Sequence, residues 1–217
     1  MPITDDERRI TIVGDVQDSN FTYIWKSTLD KCEEVLKTPF VKGVKDGNLD
    51  QEVFGRYMVQ DCVFLYEQYR CIKRVAERTT DLTVRQLLNN ILDKYQGHYE
   101  RAFRVWHIDP NNPSGIKLGK ACQDYIDYMN RVAETMDAIY FVVSMGPCLK
   151  LWQWVGSKIG TLHGAYKSWA EANFRGGSTL ERVIDTIDKA KLDLSKAIDV
   201  FQEGIAHEYN FFDSARK

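Results

Sequence analysis

Apolar residues recur at helical spacing along almost the whole chain, from residue 20 to the C-terminus. Apolar side chains at positions i, i+3, i+4 and i+7 share one face of an α-helix, whereas strands alternate with a period of two. Because strand-like alternation is nearly absent, the sequence predicts an all-α fold. The expected helices are 20–37, 50–78, 81–107, 117–134, 136–160, 162–173 and 179–213.

The length of 217 residues suits one domain with a sizeable core, and neither a linker nor an internal repeat divides the sequence. Residues 1–19 form a polar leader, and we expect residues 20–217 to form a single compact multi-helix bundle. Turn residues mark the connections in the stretches TPF, KDGN, DPNNPSG and RGGS. The stretch STLE predicts a capping box, in which Ser178 bonds the backbone and Glu181 reaches back.

The charge balance and the cysteines narrow the functional class. The chain has 29 basic and 31 acidic residues and no basic run, so we expect no nucleic-acid partner. No stretch approaches the ~20 apolar residues that span a bilayer, and the polar N-terminus is unlike a signal peptide. Five cysteines without CxxC pairs predict free thiols in a reducing compartment. We therefore expect a cytoplasmic protein without a membrane partner.

Two carboxyl groups fall on helix stripes that otherwise carry apolar side chains. Asp61 follows Tyr57 by one turn on the second predicted helix, and Glu208 follows Ile205 on the last. A buried carboxylate is costly unless it is hydrogen-bonded or stays protonated. Each acid is therefore either a structural group tied to a neighbouring helix or part of a site, and the pattern leaves both interpretations open.

Tyr125, in the stretch QDYIDYMNRV, shares a helix face with Met129 and Val132. A buried tyrosine hydroxyl needs a hydrogen-bond partner, and a carboxylate such as that of Asp61 or Glu208 would supply one. Structural packing is the alternative interpretation of this tyrosine.

The stretch VVSMGPCLKLW places Pro147 and Cys148 inside an apolar helical pattern. Proline inside a helix removes a hydrogen bond at a cost of roughly 3 kcal/mol, so we expect the helix to break and restart at Pro147. Cys148 would then lie in the first turn of the restarted helix, where the dipole lowers the pKa of a thiol. The two open interpretations are an activated nucleophile and an inert core cysteine. The other four cysteines are expected to pack in the core.

Metal and cofactor motifs are missing from the sequence. The four histidines never form the paired spacing of a metal-binding helix, and the Glu-x-x-His motifs of di-iron bundles are absent. Neither a GxGxxG nor a Walker sequence occurs, and the first long helix has no histidine to ligate haem. We therefore expect neither a metal nor a cofactor.

Five stretches of the chain, taken in order, resemble the TenA (thiaminase II) family in its cysteine-bearing branch. The opening helix pair ends in a Gln-Asp motif at Gln60 and Asp61, and DYIDYM resembles the family's tyrosine helix. The stretch GPCLKLWQWVG resembles its Pro-Cys nucleophile segment. AYKSWAEANF resembles its Tyr-x-x-Trp stretch, and HEYNFFDSA resembles its Glu-x-x-Phe ending.

The resemblance implies a haem-oxygenase-like helical fold without haem, assembled as a homotetramer or, alternatively, a homodimer. It implies cleavage of a C–N bond in thiamin or in its aminopyrimidine breakdown products, giving 4-amino-5-hydroxymethyl-2-methylpyrimidine for thiamin salvage. By this resemblance Cys148 is the nucleophile and Glu208 is the acid/base partner. Asp61 holds the amidine edge of the pyrimidine, Tyr125 hydrogen-bonds in the same cluster, and Phe211 stacks on the ring.

The chain departs from the family pattern at three substrate-binding positions, where Phe64, Trp152 and Asn173 replace the usual tyrosines. The loss of three hydroxyls bears on the substrate more than on the mechanism, because the nucleophile and both acids are present. Two alternatives therefore accompany the salvage hydrolase. One is an enzyme of the same fold that acts on another small heterocycle, and the other is a non-catalytic pyrimidine-binding protein.

Overall fold

The computed structural model describes residues 18–109, 111, 113–162 and 164–215. No strand occurs among them, so the predicted all-α fold is confirmed. The predicted leader, residues 1–19, lies outside the described residues except for its last two. The helices are α1 (Asn20–Lys26), α2 (Leu29–Val35), α3 (Pro39–Asp46), α4 (Gln51–Arg78), α5 (Leu82–Val105), α6 (Lys120–Thr135), α7 (Ala138–Lys158), α8 (Lys167–Asn173), α9 (Ser178–Lys189) and α10 (Leu194–Ser214).

Three of the long helices begin directly after an aspartate. Asp50, Asp81 and Asp193 precede α4, α5 and α10, and each carboxylate accepts hydrogen bonds from two backbone N–H groups of the first turn. These bonds satisfy donors that the start of a helix leaves free, and each cap contributes about 1 kcal/mol. The local sequence therefore determines where these three helices start.

The first and the last predicted helices are each divided in two. α1 ends where the hydroxyls of Ser27 and Thr28 donate to backbone carbonyls one turn earlier, at 2.7 and 2.8 Å, in competition with further helix. α9 and α10 separate before Asp193, whose backbone N–H donates to the Tyr140 hydroxyl at 3.1 Å. The apolar periodicity does not show these breaks, because the residues on both sides of each break pack into the same core.

Three further sequence predictions are corrected. TPF opens α3 instead of connecting two helices, because Pro39 occupies the first turn, where proline is tolerated. The helix predicted at 162–173 is confined to 167–173. The STLE capping box is wrong: Gly177 is the cap residue, and the Ser178 hydroxyl accepts a hydrogen bond from the Lys94 ammonium at 2.8 Å.

α7 lies at the centre of the bundle, in contact with α5, α6, α8, α9 and α10. Its first ten residues are apolar or small and nearly all buried, as expected of a helix surrounded by others. At the crossing with α10, a Cβ atom on Gly204 would lie only 2.6 Å from Cγ of Pro147, so glycine permits the close approach. α10 therefore runs directly against the segment that carries Cys148.

The cysteines are free thiols, as the sequence predicts. Cys148 is half-buried and free, and the four cysteines expected in the core are confirmed as buried, free thiols: Cys32, Cys62, Cys71 and Cys122. Within the part of the chain that the structure describes, no helix is both long and apolar enough to cross a membrane.

Candidate active site

Glu208 is the centre of a buried hydrogen-bond cluster. α10 turns its side chain into the core, where it is 2% exposed, and the predicted inward orientation is confirmed. The Tyr125 hydroxyl on α6 donates to Oε1 at 2.7 Å, and the indole N–H of Trp152 on α7 donates to Oε2 at 3.3 Å. Of the two acids that were possible partners for Tyr125, the structure thus selects Glu208.

Cys148 lies close enough to this carboxyl group for each side chain to shift the pKa of the other. The predicted break at Pro147 is wrong, since α7 continues from residue 138 to residue 158. A continuous helix offers Cys148 no set of free backbone N–H groups. The predicted lowering of the thiol pKa is also wrong: burial, followed by the charges of Glu208 and Asp61, raises the pKa of Cys148 well above its usual value.

Asp61 provides a second acid near the thiol. It is half-buried on α4, and burial followed by the charge of Glu208 raises its pKa to about 7. Burial likewise raises the pKa of Glu208 to about 7, against the opposing hydrogen bonds from Tyr125 and Trp152. Two carboxyl groups that exchange protons near neutral pH therefore lie around one neutral thiol.

A cleft of about 260 Å³ leads to these groups. Asp61, Cys148 and Trp152 line it together with Asn173, Arg175 and Gly177 from α8 and the connection to α9. The volume suits a small molecule of the size of one heterocyclic ring with its substituents. The thiol and one of the two acids are therefore accessible to a small ligand.

Aromatic side chains surround the acid cluster. The Phe64 ring lies 4.4 Å from that of Tyr125, and Phe211 lies 6.2 Å from Phe64. The Trp152 ring contacts Phe174 at 5.1 Å and Phe212 at 5.2 Å. Aromatic walls of this kind exclude water and fix the plane of a ligand ring.

The three predicted departures from tyrosine have different structural outcomes. Trp152 keeps a hydrogen-bond donor in the site, because its indole N–H donates to Glu208. Phe64 is buried and supplies only an apolar ring. Asn173 lines the cleft, but its amide donates to the backbone carbonyl of Trp169 at 2.7 Å, which occupies that donor within α8.

Two residues near the cluster, Tyr95 and His207, were not predicted from the sequence to lie there. Tyr95 on α5 lies close enough to Cys148 and Glu208 for their charges, after burial, to raise its pKa. The His207 ring stacks on that of Tyr125 with centroids 5.4 Å apart and planes at 9°. No short motif marks Tyr95, whereas the position of His207 directly before Glu208 was a signal that could have been used.

The two raised carboxyl pKa values predict that stability falls as pH rises. Their ordinary values are 3.8 for Asp61 and 4.5 for Glu208, so the folded chain binds more protons than the unfolded chain up to about pH 7. This stabilisation is complete below the unfolded pKa values and is lost as the pH rises through about 7. We expect urea unfolding to give a lower free energy of unfolding at pH 8 than at pH 5.

The matched variant for this pH test is Asp61→Asn combined with Glu208→Gln. The double variant should show a flatter dependence of the free energy of unfolding on pH, because neither amide titrates. An equal slope in the wild-type and variant proteins would contradict the assignment of the raised pKa values to these two residues.

The helical fold is shared with proteins of known structure. A solved haem oxygenase-1 from Synechocystis superposes with a TM-score of 0.55 at 15% identity, covering 91% of this chain and 92% of that chain. A solved TenA homologue from P. horikoshii superposes with a TM-score of 0.75 at 15% identity, covering 91% and 98%. The fold is therefore haem-oxygenase-like. The model of the TENA/THI-4/PQQC family matches residues 25–217, and the chain belongs to that family.

The named relatives that match by sequence share about a quarter of their residues with this chain. The thiamine biosynthesis protein THI22 of Saccharomyces cerevisiae is 25% identical over 197 residues, covering 81% of this chain and 34% of the yeast protein. The aminopyrimidine aminohydrolase of Helicobacter pylori is 22% identical over 213 residues, covering 89% and 96%. The chain thus spans about a third of the length of the yeast relative and nearly the full length of the bacterial one.

Proposed function

We propose that the chain is an aminopyrimidine hydrolase that cleaves the C–N bond of thiamin or of its aminomethylpyrimidine breakdown products. The product would be 4-amino-5-hydroxymethyl-2-methylpyrimidine, for thiamin salvage. The observation that carries the proposal is the thiol of Cys148 in the cleft, close to the buried carboxyl group of Glu208, whose pKa is raised to about 7. The name of the H. pylori relative, an aminopyrimidine aminohydrolase, supports the same reaction.

In the first step, the sulfur of Cys148 forms a bond to an electron-poor ring carbon while the thiol proton passes to the Glu208 carboxylate. Because the pKa of the thiol lies well above that of Glu208, a free thiolate is scarce. Proton transfer must therefore accompany the formation of the S–C bond. The hydrogen bonds from Tyr125 and Trp152 hold the carboxyl group in place for this transfer.

In the second step, the ring electrons expel the leaving group from the exocyclic methylene. An amine takes the proton back from Glu208 as it leaves. The quaternary nitrogen of thiamin leaves as a neutral thiazole without a proton, and Glu208 then releases its proton to solvent. Water then adds to the methylene carbon and gives its proton to the Glu208 carboxylate. Cleavage of the S–C bond restores the aromatic ring, and Cys148 regains the proton from Glu208. A carboxyl group with a pKa near neutrality suits both halves of this cycle, since it must act as acid and as base.

Binding of the ring is assigned to the groups that surround the thiol. Asp61 would accept a hydrogen bond from the amino group of the pyrimidine, since its carboxyl group lines the cleft with Cys148. Phe64 and Phe211 would pack on the ring beside Tyr125. We further propose that the protein acts in the cytoplasm and assembles as a homotetramer or homodimer. Light scattering of the purified chain would measure the number of subunits.

The test is the Cys148→Ser variant assayed beside the parent protein. Each protein is incubated separately with thiamin and with 4-amino-5-aminomethyl-2-methylpyrimidine, and hydroxymethylpyrimidine is followed by mass spectrometry. We expect product from the parent and a loss of at least about a hundredfold in the variant, because a serine hydroxyl is a far weaker nucleophile here. The faster substrate identifies the preferred leaving group. Cys32→Ser, which removes a thiol buried elsewhere in the core, is the control.

A second candidate function is favoured by Phe64 and Asn173, neither of which provides a hydroxyl group for a ligand. This candidate is an enzyme of the same fold acting on another small heterocycle. It predicts no turnover of thiamin or the aminomethylpyrimidine, together with a Cys148-dependent activity on a different ring. A pyrimidine that raises the melting temperature without turnover or sensitivity to thiol alkylation would instead indicate a binding protein.

A further inference from the structure

His207 and Glu208 are consecutive residues of α10, and both contact the same tyrosine. The Glu208 carboxyl group accepts the hydrogen bond of the Tyr125 hydroxyl at 2.7 Å. The His207 ring lies nearly parallel to the Tyr125 ring, with centroids 5.4 Å apart and planes at 9°. Aromatic rings attract each other in an offset, nearly parallel arrangement at this separation. α10 therefore holds Tyr125 both at its hydroxyl group and at its ring.

The His207 ring is itself held by residues of α6 and α10. It lies 4.9 Å from the ring of Tyr128, whose hydroxyl donates to the backbone carbonyl of Val200 at 2.7 Å. The Nε2 atom of His207 lies 3.9 Å from the Glu203 carboxylate, which pairs with Arg131 on α6 at 2.5 Å. Because the His207 side chain is only 16% exposed, its ring has little space to move.

The nitrogen atoms of the imidazole do not explain why an aromatic ring lies at this position. The Nδ1 atom of His207 is buried and has no hydrogen-bond partner among the residues that the structure describes, which costs stability. The Nε2 atom is too far from Glu203 for a hydrogen bond, at 3.9 Å. The contact that remains is the one between the flat face of the imidazole and the ring of Tyr125.

The Tyr125 hydroxyl lies at the end of a rigid ring, so its position depends on the packing of that ring. Phe64 on α4 contacts the ring with centroids 4.4 Å apart, and His207 contacts it from α10. A hydrogen bond weakens steeply as its distance and angle depart from their best values. Without the His207 ring, Tyr125 can tilt, and its bond to Glu208 weakens.

We propose that His207 is a positioning residue, whose ring holds Tyr125 so that the phenol donates to the proposed acid/base group Glu208. This inference rests on the proposed function and extends it to the residue that keeps the acid/base group in its working state. The bond from Tyr125 stabilises the ionised carboxylate and so opposes the effect of burial on the pKa of Glu208. A weaker bond keeps Glu208 protonated to higher pH, and a protonated Glu208 cannot take the proton from Cys148.

The other titratable groups near these two residues are unchanged when the His207 ring is replaced. Glu203, Asp124 and Arg131 lie around His207, and burial lowers the pKa of the imidazole, which is therefore neutral at pH 7 and above. A phenylalanine can thus replace it there without a change of charge. The groups whose pKa the charge of Glu208 raises, in addition to burial, are Tyr57, Asp61, Tyr95, Tyr125 and Cys148.

The experiment compares His207→Ala, which removes the ring, with His207→Phe, which restores a flat ring. Val200→Ala is the matched control, because it truncates a buried side chain about two turns earlier on α10. The pKa of Glu208 is measured in each full-length protein by ¹³C NMR of its carboxyl group, assigned with Glu208→Gln. Turnover of the preferred aminopyrimidine is measured against pH. His207→Leu, which keeps the volume but not the flat ring, gives the same comparison if the alanine variant is unstable.

We expect His207→Ala to raise the pKa of Glu208 above its parental value and to lower kcat at pH 7 about tenfold, the effect of one weakened hydrogen bond. The acidic limb of kcat/KM should move to higher pH, because the first step needs the ionised carboxylate. His207→Phe should restore most of both values. Val200→Ala should lower the urea midpoint and leave the pKa of Glu208 at its parental value.

Tyr125→Phe tests whether His207 acts through the tyrosine. This variant has no hydroxyl group to position, so His207→Ala in the same background should change neither the pKa of Glu208 nor kcat any further. Additive effects of the two substitutions would contradict the proposed route.

A parental pKa of Glu208 in His207→Ala, or a phenylalanine variant as impaired as the alanine variant, would overturn the inference. The parent protein would then still turn over its substrate, and the proposed function would stand. If the parent hydrolyses no aminopyrimidine while the NMR titrations follow the expected pattern, the proposed function fails and the positioning of Tyr125 by His207 is supported.

Discussion

Glu208→Gln should lower turnover of the preferred aminopyrimidine by about a thousandfold, within the range of general acid–base catalysis. The amide has nearly the same shape as the carboxyl group, so the side chain can remain between Tyr125 and Trp152. It cannot take the proton from Cys148 or return one to the leaving nitrogen. The loss should therefore appear in kcat and much less in KM, as steady-state kinetics on both substrates would measure.

Glu203→Gln is the control for this variant. Glu203 lies on the same helix and pairs with Arg131 at 2.5 Å, but it is about half exposed, and we expect its variant to retain near-parental turnover. An equal loss in both variants would indicate damage to α10 as a whole. Parental turnover in Glu208→Gln would contradict the assignment of Glu208 as the acid/base group.

Gly204→Ala should destabilise the fold by about 1–3 kcal/mol, the usual cost of overpacking a core. The new Cβ would lie 2.6 Å from Cγ of Pro147 and 3.3 Å from the Tyr128 hydroxyl oxygen. The proline ring is buried inside α7 and cannot rotate away, so α10 must shift. For a chain of this size we expect the melting temperature to fall by roughly 2–4 °C per kcal/mol. Activity should fall too, because Glu208 lies one turn further along the displaced helix.

Gly55→Ala tests whether this loss comes from the close approach. Gly55 is also inside a helix, but the nearest atom to an added Cβ is in the Trp106 side chain at 3.6 Å, an ordinary contact. Alanine is favoured over glycine in a helix by about 1 kcal/mol, so this variant should melt higher than the parent. If Gly204→Ala also melts as high as the parent, the packing of α7 on α10 is looser than the structure indicates.

The periodicity of apolar residues was sufficient to predict the all-α fold and the inward orientation of Glu208. It was insufficient for the breaks after α1 and before α10, which depend on hydrogen bonds of Ser27, Thr28 and Tyr140. Those bonds are made by single hydroxyl groups, one of them distant in sequence. The spacing of apolar residues gives no information about such hydrogen bonds.

The pKa of the Cys148 thiol shows more clearly what the sequence alone cannot predict. From the sequence, Pro147 predicted a free helix start and a lowered thiol pKa, but the helix is continuous and the pKa is raised. The missing information was the surroundings: α7 is covered by other helices, and two carboxyl groups lie close by. Neither burial by neighbouring helices nor the proximity of residues on α4 and α10 can be derived from the residues next to Cys148.

The hydrogen bonds to Glu208 also have a consequence for the order of folding. They join residues that are far apart along the chain, since Glu208 follows Tyr125 by 83 residues and Trp152 by 56. Contacts of such long range form late, because long loops must close first. The proposed catalytic cluster is therefore complete only when the C-terminal helix docks, and recovery of activity during refolding would measure the time of that docking.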